Sequence, residues 1–166
     1  AVPSSAAANP IDAFLNAKLA AKGIVPTATA DRATLIRRAT FDLHGLPPTY
    51  AEIQDFVKDS RADAWPRLIE RLLASPRYGE KWGKHWLDLA RYADTYGFEK
   101  DPHREIWPWR DWVIRAFNED VPFDQFTLQQ LAGDQLEAPA ADDLLATAFH
   151  RNTQNNTEGG TSDEEF

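Results

Sequence analysis

Residues 109, 112, 113, 116 and 117 are Trp, Trp, Val, Ala and Phe, the i, i+3, i+4, i+7, i+8 spacing of one buried helix face. Stripes of this kind recur along the chain and are separated by helix stops. Asn9-Pro10 reads as an N-cap with proline at the first helical position, and Ile11, Phe14, Leu15 and Leu19 share a face that ends at Gly23. A second helix from about Asp31 to Gly45 turns Leu35, Ile36, Ala39 and Leu43 inward. Thr49 and Glu52 form a capping box that opens a short helix carrying Ile53, Phe56 and Val57. Trp65, Leu68, Ile69, Leu72 and Leu73 make the next stripe. Ser75-Pro76 starts a helix reaching about Ala93, with Trp82, Trp86, Leu89 and Ala93 on one side. Trp107-Pro108, Pro122 and Pro139 open three more; the second carries Phe123, Phe126 and Leu131 and stops at Gly133, and the third carries Leu144, Leu145, Ala148 and Phe149 to about His150. No stretch alternates with period two. The expectation is an all-α fold: one irregular domain of seven or eight helices over 9–152, without a sheet.

The ends read differently. Residues 1–8 have linker composition, and residues 153–166 form a polar, Gly-containing loop. That loop closes on Thr161-Ser162-Asp163-Glu164, a capping-box pattern with no apolar run behind it, and the chain holds no Met. Both features lead us to expect an excised piece with a C-terminal continuation beyond Phe166.

Charge narrows the partners. Residues 120–166 hold ten Asp/Glu against Arg151 alone, while the first 119 residues hold 17 Lys/Arg against 16 Asp/Glu. An acidic end disfavours nucleic acid, whose binding rests on phosphate neutralisation, and suits a cation, a basic surface or a neighbouring domain. No apolar run is long enough to span a bilayer. The absence of Cys removes disulfides, thiol nucleophiles and Cys-ligated zinc. Gly-rich phosphate loops, GxSxG elbows and HExxH spacing are absent too, and the metal-ligating set stays unknown.

The chemistry-bearing residues gather in one place. The stretch 91–112, RYADTYGFEKDPHREIWPWRDW, packs three Trp, two Tyr, one Phe and nine charged side chains between two aromatic helices. Lys84, Asp88 and Arg91 have the spacing of a solvated ion-pair ladder. Trp82, Trp86, Trp109 and Trp112 have the spacing of helix packing. Trp107 stands off the periodic face, where it suits either a pocket wall or a hydrophobic staple. The intervening loop offers Asp94, Glu99, Asp101 and His103 as candidate proton-transfer groups, since a rigid apolar wall can shift a carboxylate's pKa. The same charges also suit structural Arg–carboxylate pairing. His150, with Glu158 farther along, is a second candidate at a helix C-terminus, and 150–152 (His-Arg-Asn) is the expected opposite wall. Arg104, Trp107, Trp109, Arg110, Arg151 and Asn152 are the candidate substrate-binding residues.

Three strings, W-x3-W-L-D-L-A-R-Y-A-D-T-Y-G-F-E, I-W-P-W-R-D-W-V-I-R-A-F-N-E-D-V-P-F-D-Q-F and A-T-A-F-H-R-N-T…E-G-G-T-S-D-E-E-F, give the chain a resemblance over roughly residues 10–166. It resembles a domain-of-unknown-function family of large exported planctomycete cytochrome c-like proteins. The resemblance implies an exported (periplasmic or extracellular) protein in which a Cys-x-x-Cys-His haem motif follows this segment. It directs attention to Arg91, Asp94, Glu99, Asp101, Arg104, Trp107, Arg110 and Asp111, and to His150, Arg151, Asn152, Glu158, Glu164 and Glu165, without assigning them roles. With no Cys, this chain carries no covalent haem itself, and haem c belongs to the full-length protein. The resemblance and the aromatic–charge cluster together lead us to expect the N-terminal part of a haem-c-associated redox enzyme acting on polysaccharide-derived substrates. The alternatives are a helical scaffold, its acidic C-terminal third packing against a catalytic or haem domain, and a glycan-binding module using exposed Trp.

Overall fold

The computed structural model describes residues 9–96 and 101–153. Among these residues the chain is all-α, as expected: α1 (Pro10–Ala21), α2 (Arg32–His44), α3 (Tyr50–Lys58), α4 (Ala64–Leu73), α5 (Arg77–Leu89), α6 (Trp107–Asn118), α7 (Phe123–Ala132) and α8 (Ala141–Ala146). Two 3-10 turns, Gly133–Gln135 and Thr147–Asn152, flank α8. The linker 1–8 and the loop from 154 onward lie outside the described residues.

Caps legible in the sequence are in place. Asn9 accepts from the Ile11 N–H at 2.8 Å, and Asp31 accepts from the Thr34 N–H at 2.8 Å. The Thr49–Glu52 box closes both ways, with the Thr49 N–H donating to Glu52 at 2.8 Å. Glu52 also receives the Arg71 guanidinium of α4 at 2.7 Å. That ion pair and the Thr49 N–H hold the Glu52 carboxyl down at about 2.

Two apolar clusters form the interior. Ile36, Ala39, Phe56, Ala64, Leu68 and Leu72 join α2, α3 and α4. Ile106, Trp109, Trp112, Val113, Ala116, Phe126 and Ala146 join α6, α7 and α8. Between them, α5 packs on both α2 and α6.

The α5–α6 contact corrects the sequence expectation. We expected the Trp82–Trp86 stripe to make it, but the buried residues of α5 are Gly79 and Gly83. A Cβ on Gly79 would lie 2.3 Å from the Ile114 carbonyl oxygen, so only glycine lets the two backbones approach this closely. Asn118 exploits the approach: its Oδ1 accepts from the Gly79 N–H at 2.8 Å and its Nδ2 donates to the Pro76 carbonyl at 3.2 Å. One helix end thus caps the start of another.

Helix ends bring further corrections. α5 stops at Leu89 rather than near Ala93, because Arg91 adopts φ 57° and a Schellman turn closes behind it. The bonds are Tyr92 N–H to Leu87 O at 2.9 Å and Arg91 N–H to Asp88 O at 3.2 Å. This removes Arg91 from the helix, so the expected Lys84–Asp88–Arg91 ladder does not form, and Leu89 is left exposed. Gly133 is not a left-handed stop (φ −59°); a Cβ there would sit 2.2 Å from the Asp143 carbonyl oxygen, so it serves close packing on α8. The last expected helix is broken after Ala146 into a 3-10 turn. The apolar face expected for α1 is largely solvent-facing, with only Ala13 buried, and Leu131 and Leu144 are also exposed.

Candidate functional site

The loop between α5 and α6 is zipped at its base. Thr95 and His103 form an antiparallel bridge, the Arg104 N–H donates to the Asp94 carbonyl at 3.0 Å, and the Tyr96 N–H donates to the Pro102 carbonyl at 3.2 Å. The two ends of the loop are therefore held side by side before the chain enters α6.

Arg104 is the fastener. It is 7% exposed, a depth at which an arginine needs partners for its donors. Its Nε donates to the Ala93 carbonyl at 3.4 Å, and Nη1 donates to the Arg151 carbonyl. The guanidinium also lies 5.5 Å from the Tyr96 ring centroid. These bonds make a contact between 150–152 and the loop. It is made through the Arg151 backbone, while the Arg151 side chain is exposed.

Trp109 and Asn152 lie inside rather than at the surface. Trp109 is fully buried, with Tyr92 stacked on it at 6.2 Å and Phe149 at 6.1 Å. The Asn152 side chain donates to the Phe149 carbonyl at 2.9 Å. Trp109 Nε1 and Asn152 Oδ1 have no hydrogen-bond partner among the described residues. Of the candidate binding residues, then, Arg104, Trp109 and Asn152 occupy the interior, and Trp107 and Arg110 face outward.

The outward face is a polar chain. The Tyr92 hydroxyl donates to Asp94 Oδ1 at 2.6 Å. Burial, reinforced by that carboxylate, pushes the Tyr92 phenol up to about 12, so it remains a proton donor at neutral pH. Arg110 approaches both Tyr92 and Asp94 and pairs with Asp111 at 2.9 Å, which raises its own pKa. Trp107, half exposed, precedes Arg110 by three residues and Asp111 by four, so all three lie on one side of α6. Sequence reasoning missed Tyr92; its signal was its place two residues before Asp94, where a phenol can reach a carboxylate.

The remaining candidates are dispersed. His103 and Asp101 are exposed on the returning strand of the loop, Asp101 with φ 44°. His150 is exposed; its Nε2 lies 3.4 Å from the Leu131 carbonyl and its ring packs against Phe149. Glu99, Glu158, Glu164 and Glu165 lie outside the described residues. No group of three or more His, Cys, Asp or Glu suited to a metal ion occurs among the described residues. A groove of about 400 Å³ between α3 and α4 also carries charge, but Arg61, Arg67 and Arg71 there are engaged by Asp59, Asp63 and Glu52.

No helix among the described residues is long and apolar enough to cross a membrane. Residues 10–166 match the family model described as PSCyt2, a protein of unknown function (DUF1549). Among curated proteins and among solved structures, none matches the chain significantly.

Proposed function

The chain belongs to the PSCyt2 (DUF1549) family, and from that premise we propose that it is the N-terminal helical part of an exported, haem-c-associated redox enzyme. Within that enzyme its own task is to hold a polysaccharide-derived substrate. The observation that carries this reading is the outward group of Tyr92 and Asp94, on a loop anchored from beneath by buried Arg104, with Trp107 and Arg110 on the adjoining first turn of α6. A half-exposed indole offers an apolar face for the C–H side of a sugar ring, and a carboxylate beside a guanidinium offers an acceptor and a donor to neighbouring hydroxyls. Tyr92 occupies Asp94 Oδ1, and among the described residues no hydrogen bond engages Oδ2, where such a hydroxyl would donate.

Thioether attachment of haem needs cysteine, and this chain has none, so its residues do not supply the covalent attachment. Electron transfer is assigned to another part of the protein. What this chain contributes is orientation: Tyr92 keeps its proton and fixes Asp94, and Arg110 is steadied by Asp111.

A helical scaffold is the second reading, favoured by one observation: among the described residues the Arg104 side chain hydrogen-bonds to backbone carbonyls, those of Ala93 and Arg151. The full-length protein separates the two. On the first reading its absorption spectrum shows a Soret band, and oligosaccharide-dependent reduction of an added dye falls at least ~10-fold in Trp107→Ala without loss of fold. A full-length protein without a Soret band contradicts the haem assignment. A rate indifferent to Trp107→Ala favours the scaffold.

A further inference from the structure

We propose that the hollow bounded by α5, α6 and α7 is a binding site for a small alkylated-ammonium cation, separate from the loop site and independent of the saccharide reading. The cavity measures about 210 Å³ and its walls include Tyr78, Trp86, Phe117, Phe123 and Phe126, with one carboxylate, Asp120. The rings stand nearly at right angles: Trp86 to Phe123 at 82°, Trp86 to Phe126 at 71°, and Phe117 to Phe126 at 82°. Rings set this way around an open volume form a box, and π faces attract a cation whose own hydration is weak.

Three further observations give the box its preference for charge. Asp120 makes no hydrogen bond or ion pair through its side chain among the described residues. Its backbone has φ 50° and closes a Schellman turn, with Val121 N–H to Ala116 O at 3.0 Å and Asp120 N–H to Phe117 O at 3.3 Å. Glycine is the residue that fits this position without strain, so an aspartate there keeps a carboxylate at the cavity wall against a backbone cost. The third observation is the charge of the segment that Asp120 opens: residues 120–153 hold six Asp/Glu against Arg151 alone.

The walls are also braced against collapse. Trp86 Nε1 donates to Gln130 Oε1 at 2.8 Å, and Gln130, 1% exposed, donates onward to the Phe126 carbonyl at 3.0 Å. Phe123, by contrast, is 71% exposed, an exposure that a bound cation would reduce.

The test is a titration of the chain with choline chloride, followed by the Trp86 indole N–H resonance. A parallel titration uses the uncharged isostere carrying a tert-butyl group in place of the trimethylammonium, with sodium chloride as the ionic-strength control. Saturable shifts are expected for choline, about tenfold tighter than for the isostere. Phe123→Ala should weaken choline binding severalfold, with little loss of core packing because the ring is largely exposed. Asp120→Gly should also weaken it while the melting temperature holds or rises, because glycine relieves the left-handed backbone. Equal affinity for choline and isostere, no saturable shift, or binding unchanged in both variants would overturn the proposal.

Discussion

At the scale of single residues, the stretch 91–112 divides by depth. Arg104 and Trp109 point into the interior, as does Asn152 from the facing segment 150–152; Asp94, Trp107 and Arg110 face out. Their residue types do not announce the difference, because arginine and tryptophan serve both purposes. Arg104→Ala leaves the Ala93 and Arg151 carbonyls unpaired and opens a void under the loop. The expected cost is about 2–4 kcal/mol of stability, read by denaturant unfolding. An Arg104→Ala protein as stable as the parent would remove the anchor from the account. Tyr92 makes a pH prediction. Its phenol is raised from the usual 10.0 to about 12 in the folded chain, so the unfolded state loses this proton first. The contribution to stability is whole below pH ~10 and is lost as pH rises through ~12. Phenolate absorbance in an alkaline titration should show one late-titrating tyrosine, and Asp94→Asn should bring it back toward the ordinary range.

At the scale of elements, the helices themselves were largely legible. Asn9, Asp31 and the Thr49–Glu52 box mark helix starts, and each makes its expected bond. Helix ends were legible only where glycine marks them, as at Gly23 and Gly45. Arg91 and Asp120 close equivalent left-handed turns without glycine, and nothing in a one-dimensional pattern distinguishes them from helix interior. The α5–α6 contact was obscured for another reason. A tryptophan stripe attracts the eye as a packing face, yet close approach of two backbones selects the smallest side chain. Gly79→Ala tests this: its new methyl would meet the Ile114 carbonyl and the Asn118 amide, with an expected loss of about 1–3 kcal/mol in equilibrium unfolding. Unchanged stability would mean the helices are not held at this distance.

At the scale of the whole molecule, periodicity forecast an all-α chain and the core stripe of α6, since both depend on spacing alone. It could not forecast which apolar faces find a partner. The α1 stripe of Ile11, Phe14 and Leu15 has helical spacing as clear as that of α2, yet it remains exposed. Nor could it show that Arg104 ties 91–96 to 150–152 across a long sequence separation, because such a bond leaves no local pattern. The candidate site was therefore legible as a region, and its division into anchor and outward face was not. On the proposed function, the anchored loop presents Tyr92 and Asp94, and the first turn of α6 presents Trp107 and Arg110, to a sugar. A glycan array probed with the parent chain and with Trp107→Ala, both checked for equal melting temperature, tests it most directly. Signals on a coherent set of oligosaccharides that fall at least ~10-fold in the variant are the predicted result. A silent array, or signals that Trp107→Ala leaves unchanged, would contradict it.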